Sequence, residues 1–160
     1  MNPGRGILAL VVVAVLCAPA GARDCPTSAG STGTYGAADA IAVDGDHVYF
    51  SAWGLKVLDV SDPAAPAQVG EHVAWDYGLA ISGTHAYGAG YDSGLHVYDI
   101  SDPAAPALLT TFVARGTAME IDVAGDLVYL VTEAFLAGEE AGLQIIDVTD
   151  PESPFEVGFW

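Results

Sequence analysis

The chain has 160 residues, of which 21 are Asp or Glu, 4 are Lys or Arg, and 52% are hydrophobic. That length fits one ordinary domain, and apolar residues spread along the whole chain after residue 40 exclude a disordered acidic tail. A formal charge of -17 repels a phosphate backbone, and beyond the first twenty residues the only cations are Arg23, Lys56 and Arg115. No basic stripe exists to release counterions, so nucleic acid is excluded as a partner.

The N-terminus reads as an export signal. Arg5 precedes an apolar run, ILALVVVAVLCA at 7–18, that Pro19 and Gly21 end well short of the ~20 residues a membrane-spanning helix needs. Ala20 and Ala22 form an A-x-A cleavage pattern ahead of Arg23, giving a signal peptide over 1–22 and a mature chain that is exported to the periplasm, cell surface or extracellular space. Bulky Leu16 before Cys17 argues against lipid attachment. Cleavage leaves Cys25 as the one mature cysteine, without an intramolecular disulfide partner. Residues 23–38, rich in Gly, Ser and Thr, read as a flexible linker.

From residue 39 the chain repeats itself. GLKVLDVSDP at 54–63 recurs as GLHVYDISDP at 94–103 and GLQIIDVTDP at 142–151. Ahead of each stands a second matching segment, VDGDHVY at 43–49, ISGTHAY at 81–87 and VAGDLVY at 123–129. Periods near 40 made of short Val/Ile/Tyr/Leu runs between Gly, Asp, Ser and Pro predict β-propeller blades and exclude helical repeats. The first unit parses into strands over 40–43, 47–52, 55–60 and 68–74. The turn at Asp44-Gly45 needs glycine's positive φ, and Ser61-Asp62-Pro63 is Asx-Pro turn chemistry. The third strand is apolar on both faces, with Leu55 and Val57 opposed to Leu58 and Val60, as expected of a blade stacked between two others. The fold class is therefore all-β, three four-stranded blades over about 39–76, 77–116 and 117–160.

The G-L-x-V-x-D-V-S-D-P core, followed by Pro66, Pro106 and Pro154, resembles the LVIVD repeat of bacterial and archaeal exported or surface proteins. The resemblance spans residues 39–160 and implies a propeller of four-stranded blades without tying the chain to one reaction or cofactor. Such proteins usually carry enough repeats to close a ring, and here there are three. Three blades predict an open arc, part of a larger propeller, whose end blades each leave an apolar face uncovered. Self-association or a missing C-terminal portion with further repeats follows as an expectation.

Few residues point to chemistry. Asp59, Asp99 and Asp147 repeat at one position and Asp62, Asp102 and Asp150 at another, which turn structure explains better than catalysis. His47 and His85 are equivalent to Leu127. His96 matches Lys56 and Gln144, a tolerant polar site, and His72 has no partner at short spacing, so no zinc or catalytic histidine cluster is expected. No nucleophile elbow is present. Gly88-Ala89-Gly90 followed by Gly94 has the wrong spacing, and the wrong following element, for a dinucleotide fingerprint. Asp44 and Asp46 around Gly45 leave Ca2+ as a candidate cofactor, without the EF-hand ligand pattern.

The repeat is broken most informatively in its loops. Trp53, Tyr91 and Glu133 occupy one variable position, and the third unit's loop before Gly142 is eight residues longer than the first's and holds Glu139 and Glu140. These loops lie on the same end of the blades as the connections containing Trp75, Asp76, Tyr77 and Arg115. Trp53, Trp75, Asp76, Tyr77, Tyr91, Asp92, Arg115, Glu139 and Glu140 are thus expected to share one rim, and loops on a rigid scaffold carry function. The expected function is a non-enzymatic binding or scaffolding module for a protein or carbohydrate ligand, the acidic residues favouring a basic or carbohydrate-like one. The alternative is a metal-dependent, lactonase-like propeller hydrolase with its site on the loop-rich face.

Overall fold

In a computed structural model the chain is described over residues 38–160. The export signal, Cys17, Cys25 and nearly all of the linker lie outside the described residues. Within them the chain is all strand and turn, and no helix is long and apolar enough to cross a membrane.

Blade 1 contains β1 (Ala40–Asp44), β2 (His47–Ser51), β3 (Leu55–Asp59) and β4 (Ala67–His72). Blade 2 contains β5 (Gly78–Ser82), β6 (His85–Ala89), β7 (Leu95–Asp99) and β8 (Ala107–Phe112). Blade 3 contains β9 (Thr117–Ala124), β10 (Leu127–Glu133), β11 (Gly142–Asp147) and β12 (Phe155–Phe159). Each is an antiparallel meander in chain order, with a register shift at one repeat position between the third and fourth strands, after Val57, Val97 and Ile145.

The turns are built as their residues require. Gly45, Gly83 and Gly125 close the first hairpins at φ of 53, 58 and 62°, a region only glycine enters freely. Asp59, Asp99 and Asp147 each accept the N–H two residues on, from Ser61, Ser101 and Thr149, at 2.8 Å. Asp62, Asp102 and Asp150 do the same for Ala64, Ala104 and Glu152. All six repeated aspartates are turn formers, and the hydrogen bonds of the first set hold those carboxyls below the usual carboxylate range.

The blades stack through their faces. Tyr49, Leu55 and Val57 of blade 1 pack with Leu79, Ala86, Tyr98 and Ile100 of blade 2. Tyr87, Ala89, Leu95 and Val97 on the far face of blade 2 pack with Val128, Leu130, Ile146 and Val148 of blade 3. The first strands run along one side of the stack, β5 lying against both β1 and β9, and the three sheets form an open arc.

The consequence is visible at equivalent positions. Leu55 and Leu95, and Val57 and Val97, are all 0% exposed beneath the next blade. Leu143 and Ile145, which repeat them on the last blade, are half-buried, and Val131, the counterpart of Ser51 and Ala89, is exposed. The expectation of two bare apolar end faces holds at this end only. On the outward face of blade 1, Val48, Phe50, Ala52 and Leu58 are buried in a cluster of their own, while Ile41 and Val43 of β1 are exposed.

Candidate functional site

The loops at one end of the arc carry a row of aromatic rings that crosses all three blades. Trp53 lies in the β2–β3 loop, Trp75 and Tyr77 between β4 and β5, Tyr91 in the β6–β7 loop and Phe135 in the β10–β11 loop. Their centroids follow one another at 5.3, 6.1, 5.1 and 6.4 Å, contact distances for offset aromatic pairs. Despite these contacts Trp53, Trp75 and Phe135 remain 66, 48 and 58% exposed.

Two members of the row are held in an unfavourable backbone conformation. Trp53 and Tyr91 are the only non-glycine residues at positive φ among the described residues, at 58 and 54°. For a bulky residue this conformation is strained by about 1–3 kcal/mol and persists only where its surroundings enforce it. They are repeat equivalents, so the same strain is stored twice and each time presents a large ring to the rim. Tyr91 is fixed further by its carbonyl, which accepts N–H bonds from Ala118 and Gly94.

The acidic rim residues behave differently from expectation. Asp76 is fully buried, a correction to its placement among the exposed rim acids. Its backbone is clamped by Ser51, whose Oγ donates to the Asp76 carbonyl and accepts from its N–H. Its carboxylate turns inward between blades, accepting from Tyr98 Oη at 2.7 Å and lying 2.7 Å from His96 Nδ1. Burial and this carboxylate push the Tyr98 hydroxyl far above the ordinary phenol range, so it stays a donor. Glu140 is paired with Arg115 at 2.6 Å, and Glu139 is occupied by the N–H groups of Phe135 and Leu136 at 2.7 and 2.8 Å. Arg115 also holds Glu156 through two nitrogens, at 2.9 and 2.8 Å, and lies over the Phe159 ring at 4.8 Å. Asp92 lies at 3.4 Å from the Thr117 hydroxyl. The carboxylates that were expected to attract a basic partner are therefore mostly committed within the protein.

His96 shares its repeat position with Lys56 and Gln144, and the structure gives this polar site a common role. In every blade this position reaches a carboxylate: Lys56 meets Glu71 at 2.6 Å, His96 meets Asp76 and Gln144 meets Glu156, both at 2.7 Å. In blade 2 alone both partners are buried. The space comes from glycine. Gly88 and Gly90 stand where blade 1 has Phe50 and Ala52 and blade 3 has Leu130 and Thr132. A Cβ on Gly88 would lie 2.2 Å from Asp76 Oδ1, and one on Gly90 2.4 Å from His96 Cε1. The Gly-Ala-Gly spacing was the legible signal, and its meaning is a carved recess rather than a phosphate turn.

Above this network opens a cleft of about 470 Å³, lined by Trp75, Tyr77, Gly90, Tyr91, Asp92 and His96 among others. It combines exposed ring faces with a carboxylate and an imidazole. Among the described residues no three His, Cys, Asp or Glu side chains are grouped to hold a metal ion, and Asp44 and Asp46 gain no third ligand.

The LVIVD repeat matches the chain three times, over residues 35–73, 75–113 and 115–160. No curated protein is significantly similar in sequence. Among solved structures, a europium-containing methanol dehydrogenase superposes with a TM-score of 0.57 at 14% identity, over 78% of this chain and 25% of that one. A chain of a S. cerevisiae assembly of Dbp5 with Nup159, Gle1, IP6 and ADP superposes with a TM-score of 0.53 at 11% identity, over 80% of this chain and 31% of that one. Both likenesses concern the blade fold alone, and the chain spans a third or less of either protein's length.

Proposed function

The chain belongs to the LVIVD repeat family, and from that premise we propose that it is an exported, non-enzymatic binding module that captures a carbohydrate on its aromatic rim. The observation that carries this reading is the continuous row from Trp53 to Phe135, exposed to solvent and maintained at the expense of two strained backbone positions. Aromatic rings bury much area at little conformational cost, and the apolar C–H face of a pyranose stacks on a ring while its hydroxyls find polar groups at the edge.

Charge favours a neutral ligand. The protein is strongly acidic, which disfavours a polyanion, and Arg115, the rim's cation, is engaged by two glutamates. Glu139 and Glu140 are likewise occupied, which leaves little to attract a basic protein. Export supplies the setting, since envelope and extracellular polysaccharides are where such a surface meets its ligand.

The test is affinity electrophoresis of the secreted protein through gels containing neutral polysaccharides, comparing wild type with the Trp75→Ala, Tyr91→Ala double variant. Retardation of wild type and its loss in a variant of unchanged melting temperature supports the reading. Equal mobility of the two proteins in every gel rejects it.

A further inference from the structure

Blade 2 contains a polar network that the other two blades lack. We infer that His96, held by Asp76, is the hydrogen-bond acceptor at the floor of the rim cleft and fixes one hydroxyl of the bound sugar. The inference rests on the carbohydrate-binding reading and adds to it a named subsite.

Tyr98 donates to Asp76 Oδ2 at 2.7 Å, and a carboxylate side chain accepts through both oxygens. The partner facing Oδ1 at 2.7 Å is His96 Nδ1, which must donate. A neutral imidazole with its proton on Nδ1 has a bare, accepting Nε2. Among the described residues Nε2 has no partner, yet none of their buried side-chain nitrogens or oxygens lacks one. Nε2 therefore reaches solvent, and His96 lines the cleft beneath Trp75, Tyr77 and Tyr91. The carboxylate fixes both the tautomer and the ring orientation, as it does in other Asp–His pairs.

This arrangement is built rather than incidental. It requires glycine at two positions where the sister blades carry larger residues, and Asp76 is anchored a second time, through its backbone, by buried Ser51. A fixed acceptor recognises an O–H or N–H donor, and beside stacked rings such a donor is most simply a sugar hydroxyl. Asp92 and Ser93 on the cleft wall offer further acceptors and a donor to neighbouring hydroxyls. Asp76 is then a positioning residue, and His96 is the group that touches the ligand.

The experiment uses the mature protein labelled with 15N in histidine and a panel of neutral β-1,4-linked hexasaccharides of glucose, xylose and N-acetylglucosamine. The unliganded spectrum should show His96 protonated on Nδ1, and the binding hexasaccharide should shift its Nε2 resonance. Asp76→Asn keeps the shape of the side chain but offers an N–H to Nδ1, so the proton should move to Nε2 and affinity should fall roughly tenfold. If the Trp75→Ala, Tyr91→Ala variant loses binding while the ligand leaves His96 Nε2 unmoved in wild type, the inference is wrong and the rim reading stands. If no hexasaccharide binds at all, both are overturned. Should Asp76→Asn fail to fold, the wild-type Nε2 shift decides alone.

Discussion

Gly88 makes the buried Asp76 network possible, and a double-mutant cycle tests that dependence. Gly88 does not have positive φ, so its backbone accepts a side chain, and the obstacle to one is steric. The Cβ of Gly88→Ala would lie 2.2 Å from Asp76 Oδ1 and 2.3 Å from its Cγ, where ordinary contact begins near 3.4 Å. The carboxylate must retreat by more than an ångström, which stretches its 2.7 Å bonds to His96 and Tyr98 beyond hydrogen-bonding range. Two buried, charge-assisted bonds lost together represent about 3–5 kcal/mol. Asp76→Ala loses the same two bonds and should cost a similar amount. Combined, the changes lose the network only once, and the new methyl fills part of the vacated space. The double variant should therefore resemble Asp76→Ala alone, with a coupling of about 3–5 kcal/mol, the whole cost of Gly88→Ala, in equilibrium urea unfolding. Additivity of the two single effects to within about 0.5 kcal/mol would refute the claim that Gly88 exists to house the carboxylate.

Three further outcomes follow from the arc. Leu55→Ala and Leu95→Ala, at fully covered sites, should each cost about 2–5 kcal/mol in urea unfolding, whereas Leu143→Ala on the open last face should cost about 1; equal losses at all three would show that the last face is covered. The carboxyls of Asp59 and Asp147, lowered chiefly by the N–H of Ser61 and Thr149, and of Asp99, lowered chiefly by the Ser101 hydroxyl, stabilise the fold above their unfolded pKa. That contribution is lost as pH falls through the depressed folded values, so below about pH 4 wild type should lose its stability advantage over the Asp59→Asn, Asp99→Asn, Asp147→Asn variant in thermal melts; a constant difference down to pH 2 contradicts the Asx-turn assignment. Arg115→Gln releases Glu140 and Glu156, and the 134–141 loop should be cut by protease several-fold faster while the global melt changes little; an unchanged cleavage rate would show that the loop is held by other contacts.

The blades were legible in the sequence because their signals are local and tripled. Asp-Gly and Ser-Asp-Pro turns mark where strands end, and apolar residues on both faces of segments such as residues 54–63 mark strands covered on both sides. The aromatic rim was legible too, since Trp53 and Tyr91 fall at one repeat position and Trp75 and Tyr77 at the adjoining connection. Phe135 was missed because it lies in an insertion with no repeat counterpart. Asp76 was misplaced because its surroundings, between Trp75 and Tyr77, are those of an exposed loop. Its burial depends on two glycines twelve and fourteen residues away and on a histidine twenty residues away, relations that appear only once β6 and β7 are paired. The buried outward face of blade 1 had no signature, since Val48 and Phe50 look the same whether covered or bare.

The most direct test of the rim as a ligand site uses the chain's own tryptophans. There are three, and Trp160, 91% exposed, is not a member of the aromatic row, so Trp160→Phe leaves Trp53 and Trp75 as the reporters. Titrating that variant with the neutral hexasaccharide panel should give, for at least one member, a saturable change in emission that vanishes when Tyr91 is also replaced by Ala. An emission spectrum unmoved by every hexasaccharide at millimolar concentration, from a protein whose melt shows it folded, would contradict the account.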